Sequence, residues 1–247
     1  MRVKLAHAFT TPEQKRRYVR TLFSTIADRY DFITVFLSFG RDRAWKRRLL
    51  REAMLRPGAH VLDLACGTGD IAFEAAQAGA RVIGLDITTR MIEIANGKAS
   101  RRAAPAAGSA HFVVGDMMAL PLPSAAFDVV TTGYGIRNVP RIEPAIGEIA
   151  RVLKPGGCLL SLDFNRPEWA IVRWPYLAYL TVVGSILGWA LHGDPDTYRY
   201  IPESLKRYPG ARGVAAVLRQ HGFDDVRVMP ILGGFMTIHV AARALTE

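Results

Sequence analysis

The chain has 247 residues, half of them apolar, 9% aromatic and 22% charged. That composition supplies one sizeable core and excludes a disordered chain, and the length suits a single α/β domain with insertions. Two cysteines, Cys66 and Cys158, and six scattered histidines without ligand spacing exclude a disulfide scaffold and predict a reducing compartment with no metal centre.

Residues 1–58 carry 14 Lys and Arg against 5 Asp and Glu, so +9 of the net +10 lies in the first quarter. Clustered cations attract anions such as an acidic lipid surface or a nucleic acid backbone, or simply solvate a helix face. No secretory apolar run opens the chain, so a cytoplasmic location is expected. Val19, Leu22, Phe23, Ile26, Ala27 and Tyr30 recur at helical spacing, with Arg16, Arg17, Arg20 and Arg29 mostly opposite. This is an amphipathic helix whose stripe meets either core or lipid.

From Gly58 strands and helices alternate. HVLDLA, RVIGLD, HFVVGD, FDVVTTG and GGCLLSLDF read as strands; DIAFEAAQAG, TTRMIEIANGKA with a threonine cap, and PAIGEIARVLKPGG, stopped by Pro155, Gly156 and Gly157, read as helices. AAPAAGSA at 103–110 reads as a flexible loop, and DDVRVMP and FMTIHVAAR as two closing strands around Gly233 and Gly234. Repeated βα units predict a doubly wound, mainly parallel seven-stranded sheet, Rossmann-like, binding ligands beyond the strands' carboxyl ends.

The turn Gly67-Thr68-Gly69-Asp70-Ile71-Ala72 satisfies a dinucleotide-type GxGxxG/A pattern, with Asp86 19 residues beyond Gly67. Charge separates the alternatives. A pyrophosphate would meet Asp70 at the helix start, with Asp63 just before, at a cost of roughly several kcal/mol in a partly dry site. S-adenosylmethionine carries an ammonium and a sulfonium, which carboxylates attract. Asp86 then suits the ribose hydroxyls and Asp116 the adenine amino group, while Gly67 and Gly69 let the chain pass close to the ligand. The plain alternative is that these carboxylates cap or solvate a turn.

Trp174 to Leu191 is 18 uncharged residues, the minimum for a membrane span. Pro175, Gly184 and Gly188 are expected to interrupt it, and no second such segment follows, so a buried or surface-lying helix shaping an apolar pocket is predicted, with Leu180 and Ile186 against the ligand. His192 and His239 are expected to be structural. The chain divides into a basic helical region (1–57), a cofactor core (58–165), an apolar helical insertion (166–220) and closing strands (221–247).

VLDLACGTGD, VIGLD, GDMMALPLPSAAFDVV and RVLKPGG resemble the motifs of class I S-adenosylmethionine-dependent methyltransferases. More specific segments, LFSTIADRYDFITVFLSFGRDRAWK, GYGIRNVP and YRYIPESLKRYP, resemble the ubiquinone/menaquinone biosynthesis C-methyltransferase family, its demethylmenaquinone branch in particular, over residues 18–243. The resemblance implies S-adenosylmethionine held among Asp63, Gly67, Thr68, Gly69, Asp70, Asp86, Ile87, Asp116 and Met117. It places Arg137, Asn138 and Tyr30 at the reacting end, and Tyr198, Tyr200, Glu203 and Ser204 at the pocket of a prenylated hydroquinone. If Arg137 is instead structural, Asp116 or Asp128 is its expected partner. Thr34 and Asp42 depart from the family's usual asparagine and histidine, which bears on acceptor choice.

A phospholipid N-methyltransferase, or another methyltransferase of apolar small molecules, is the nearest alternative. Peripheral contact with an anionic membrane is expected. Nucleic acid is not, because no Asn/Asp-Pro-Pro-Tyr-type sequence follows the fourth strand. A homodimer is left open.

Overall fold

The computed structural model describes residues 4–102 and 108–245. Strands β1 (His60–Leu64), β2 (Arg81–Asp86), β3 (Ser109–Val114), β4 (Phe127–Gly133), β5 (Leu153–Phe164), β6 (Phe223–Ile231) and β7 (Met236–Arg243) form one sheet in the order β3-β2-β1-β4-β5-β7-β6, with β7 antiparallel to both neighbours. The chain winds outward from β1 and returns at β4, so the crevice between their carboxyl ends is the switch point where ligands bind in such sheets. The predicted strands are all present. Of the expected loop, residues 103–107 lie outside the described residues, while Ser109 and Ala110 already pair in β3.

Strands buried on both faces read as continuous apolar runs, and two cores flank the sheet. On one face α3 (Asp42–Glu52), α4 (Asp70–Gln77) and α5 (Thr89–Arg101) bury Trp45, Leu49, Ile71, Phe73 and Ile92. On the other, α6 (Ile142–Val152), α8 (Asp196–Arg207) and α9 (Gly210–Gln220) bury Ile146, Ile149, Leu205, Val214 and Leu218. Helix α6 ends before the glycine pair, because Leu153 already pairs with Phe127 at the start of β5. Thr88 holds the cap position of α5, yet its side chain makes no capping bond.

A third cluster seats the N-terminus. Helix α1 (Pro12–Ile26), capped by Thr11 Oγ1 accepting from the Gln14 N–H at 3.2 Å, buries Tyr18, Val19, Leu22 and Ile26 with Tyr198 and Tyr200 of α8 and Ile33 of α2 (Tyr30–Leu37). Its apolar stripe is therefore core, not lipid contact.

The apolar insertion is one unbroken helix, α7 (Ala170–His192), so the expected interruptions do not occur. Pro175 falls near the start, where few intrahelical bonds are lost. Gly184 and Gly188 instead form the contact with α8: a Cβ at Gly188 would lie 2.5 Å from the Asp194 carbonyl oxygen.

Candidate active site

At the carboxyl ends of β1, β2 and β4, Ala65, Gly67, Asp86, Ile87, Gly133 and Tyr134 line a narrow cleft of about 70 Å³. Asp116 and Met117 line it too, and Arg16, Val19 and Phe23 of α1 form part of its wall. Ala65 and Tyr134 hold left-handed backbone (φ +50° and +61°), a strain of order 1 kcal/mol each that turns the chain sharply at the crevice. Gly67 (φ +54°) and Gly69 (φ +90°) make the same turn without that cost.

Asp86 anchors the loop. Its Oδ2 accepts the Gly67 N–H at 3.0 Å and its Oδ1 the Thr88 N–H at 2.8 Å. Burial raises its pKa against the pull of those two donors, and each oxygen keeps a further lone pair for a ligand hydroxyl. Asp116 accepts the Met118 N–H at 2.9 Å and pairs with Arg16 at 3.3 Å.

Three expected cofactor residues stand differently. Asp63 does not line the cleft. It is fully buried behind the loop, with Oδ1 accepting from Thr131 Oγ1 at 2.7 Å and Oδ2 unpartnered, and burial pushes its carboxyl up to about 7. Asp70 and Thr68 line a small pocket beside the cleft, which shares Tyr30, Ala65, Gly67, Gly133 and Tyr134 with it, and sit in an ion network. Lys46 (3.1 Å) and Lys98 (3.4 Å) pair with Asp70; Lys98 also reaches Asp31 at 2.6 Å, and Thr68 Oγ1 donates to Asp31 at 2.6 Å. Burial would raise the Asp70 pKa, but the two lysines outweigh it and hold it low. Asp70 thus stays ionised but neutralised, which removes the charge argument that set it against a phosphate.

Beside the cleft lies a second cavity of about 670 Å³, walled almost wholly by apolar side chains, among them Leu22, Ile26, Ile33, Leu180, Phe235 and Met236. Phe23, Tyr30, Tyr134 and Asn138 line both spaces. Asn138 donates from Nδ2 to the Tyr134 carbonyl at 2.6 Å and leaves a buried Oδ1 without a partner. The Tyr30 ring covers the glycine loop: a Cβ on Gly67 would stand 3.5 Å from it. Burial foremost pushes the Tyr30 phenol up to about 12, so it keeps its proton at neutral pH.

Arg137, buried at the cavity wall, pairs through Nε with Asp163 Oδ1 at 3.3 Å, while its backbone N–H donates to Oδ2 at 3.0 Å. Its Nη1 donates to Ser204 Oγ. Neither Asp116 nor Asp128 is the partner; Asp128 is taken by Lys154 at 2.6 Å. Of the expected acceptor residues, Tyr198 and Tyr200 line the cavity, but Ser204 reaches it only through Arg137. Glu203 lies outside, paired with Lys206 and Arg207. Leu180 lines the cavity, whereas Ile186 is exposed on the outer side of α7. Thr34 lines it and donates to the Tyr30 carbonyl at 2.8 Å; Asp42 is buried behind, accepting from Tyr134 Oη at 2.8 Å and pairing with Lys46 at 2.6 Å. His192 meets Tyr198 Oη and His239 the Ala211 carbonyl, both at 3.0 Å, in packing roles.

Asp163 was missed, although it ends a buried strand as Asp86 does, a readable signal. Lys15 was missed too; its Nζ donates to the carbonyls of Arg137 (3.1 Å) and Val139 (2.5 Å), tying α1 to the Arg-Asn segment. Nothing local in the sequence marks that contact.

The residues fit S-adenosylmethionine. A carboxylate with free lone pairs, a glycine turn open to close approach and an orphaned amide oxygen meet at one cleft. Helix α1 supplies Arg16, Val19 and Phe23 of the wall over this site.

Comparison with known proteins agrees with this construction. The ubiE/COQ5 methyltransferase family matches residues 10–243. A protein of Rubrivivax gelatinosus named ubiquinone/menaquinone biosynthesis C-methyltransferase UbiE is 39% identical over 94% of this chain and 89% of its own. A Thermus thermophilus demethylmenaquinone methyltransferase is 39% identical over 90% of this chain and 100% of its own. Among solved structures, an S-adenosylmethionine-dependent methyltransferase of Methanosarcina mazei shares the fold at a TM-score of 0.59 and 22% identity, covering 81% of this chain and 98% of that one.

Proposed function

The chain belongs to the ubiE/COQ5 methyltransferase family and is an S-adenosylmethionine-dependent methyltransferase; from that premise we propose that it methylates a ring carbon of a prenylated hydroquinone in respiratory quinone biosynthesis. The observation that carries this reading is the junction. A narrow cleft with Asp86 and Asp116 in its wall and a large apolar cavity share Phe23, Tyr30, Tyr134 and Asn138, so a methyl donor and a greasy acceptor can meet there.

S-adenosylmethionine supplies an electrophilic methyl on a sulfonium, whose sulfur keeps the S–C electron pair as that bond breaks. The acceptor must present an electron-rich carbon, which a hydroquinone does once a ring hydroxyl loses its proton. The new C–C bond forms at that carbon, and the ring then releases the hydrogen there to water as a proton, keeping the C–H electron pair to regain aromaticity. Arg137, fixed by Asp163 and Ser204, has further N–H groups to stabilise a developing phenolate. Tyr30, protonated at neutral pH, acts as a donor rather than a base. Asn138 offers its free Oδ1 at the junction. Holding the two reactants in line accounts for several orders of magnitude of rate. The cavity wall suits a tail, since apolar burial contributes roughly 25 cal/mol per Å². We place the enzyme in the cytoplasm, in peripheral contact with a membrane that holds such acceptors.

Transfer of labelled methyl into a panel of reduced quinol, phospholipid and RNA, followed by product mass, tests the reading. The expected product is the quinol with one added methyl on carbon; label on phospholipid alone, or on oxygen or nitrogen, overturns it.

A further inference from the structure

We propose that the mouth of the acceptor cavity is a bilayer-docking surface, in which α7 lies in the plane of an anionic membrane and the exposed aromatics of α2 and α7 insert around the opening. The inference deepens the proposed function, resting on its apolar acceptor, and names a surface other than the basic N-terminal helix.

The argument starts from α7. A helix that is apolar all round is ordinarily buried in a core or in lipid. Helix α7 has 23 residues, about 35 Å at 1.5 Å per residue. Only 11% of its most apolar window is buried. Its inner side is committed to α8 through Gly184 and Gly188, so it does not leave the domain to span a bilayer. Its outer side, Ile171, Pro175, Val182, Ile186 and Trp189, runs exposed along its whole length.

The exposed surface is continuous with the cavity. Phe39, Val172, Tyr179 and Leu232 are exposed and also line the cavity, so they rim its opening. Beside them stand Phe32 and Phe36 on either side of the buried Ile33 in α2, and Trp169 and Trp174, 76% and 60% exposed. Trp, Tyr and Phe at one opening are the side chains that favour the membrane–water boundary. Arg41 and Arg43, two and four residues after Phe39, are exposed and form no ion pair among the described residues; Arg173 lies over the Trp174 ring. That places cations beside the insertion surface, as an anionic leaflet requires. Helix α1 cannot supply the apolar part, because its stripe is buried. An acceptor with a long tail would pass from the bilayer into the cavity without crossing water.

The test uses the full chain without cofactor or acceptor, so its failure leaves the methyl-transfer assay untouched. The protein is sedimented with vesicles of phosphatidylcholine alone and with added phosphatidylglycerol, and its fluorescence is followed with brominated phosphatidylcholine in the mixture. Of the four tryptophans only Trp45 is buried. Binding to the anionic vesicles, weakening with salt and with bromolipid quenching, is expected. The pairs Phe32→Ser/Phe36→Ser and Trp169→Ser/Trp174→Ser, outside both cavities, should each reduce binding by about tenfold or more while sparing transfer to a tail-less naphthoquinol. Absent binding, no quenching in the unaltered protein, or equal binding by the variants overturns the proposal. So does a dimer in light scattering that the substitutions dissolve, which would assign the surface to a second copy of the chain.

Discussion

The cofactor cleft is built on strand ends, with its glycine turn and Asp86 inside one βαβ unit and α1 closing one side, whereas the acceptor cavity is walled by side chains from α1, α2, α7, α8 and the β6–β7 turn, far apart in the chain. In the first, hydrogen bonds such as Asp86 to Gly67 and Thr88 fix the loop before any ligand arrives. In the second, Arg137, held by the buried Asp163, is the one charged side chain in a largely apolar wall. The contrast teaches that the donor is recognised by local polar geometry and the acceptor by shape, with polarity concentrated where the two meet.

The sharpest way to break that comparison is at the ion pair. Removing one partner of a buried pair leaves an uncompensated charge, so Arg137→Met should cost about 3–5 kcal/mol in chemical denaturation and lower kcat by a factor of about 10²–10³. Arg137→Met combined with Asp163→Leu should regain much of the stability and none of the activity. Recovered turnover in the double variant would make Arg137 merely structural.

Asp63 sharpens the cofactor side. Its folded pKa, about 7, lies above the ordinary carboxylate value, so its contribution is fully present below about pH 4 and lost as pH rises through 7. Against Asp63→Asn, the unaltered protein should therefore lose about 3 kcal/mol of relative stability between pH 4 and pH 7.5, then level off. A flat difference across that window in parallel urea titrations would refute the buried, unpartnered state. Asp86→Ala should weaken S-adenosylmethionine binding by about 1.5–3 kcal/mol in calorimetry, the scale of hydrogen bonds to a charged acceptor. Unchanged affinity would remove Asp86 from the cleft's function.

On the acceptor side effects should be smaller and depend on the tail. Leu180→Ser should raise KM for long-tailed quinols severalfold, with little change for a tail-less naphthoquinol. Glu203→Ala, outside the cavity, should stay within about 0.5 kcal/mol of the unaltered protein in stability and leave KM unmoved.

The same contrast explains what the sequence disclosed. The β1–α4–β2 turn was legible because its signals, apolar runs, Gly67, Gly69 and Asp86, sit within 27 residues of one another. The neutralisation of Asp70 was not, since Lys46 and Lys98 come from α3 and α5, and no periodicity announces a lysine's reach. Glu203 and Ser204 are adjacent in one motif, yet the helix turns one to solvent and the other to Arg137. Gly184 and Gly188 read as breaks by propensity alone; close packing against α8 made them contacts.

A crystal structure of the chain with S-adenosylhomocysteine and a naphthoquinol bound together tests the central claim most directly. The account predicts the sulfur in the cleft by Asp86 and the ring in the apolar cavity, a ring oxygen towards Arg137, with the unsubstituted carbon facing the sulfur past Tyr30 and Asn138. A ring bound elsewhere, or turned so that an oxygen faces the sulfur, would contradict it.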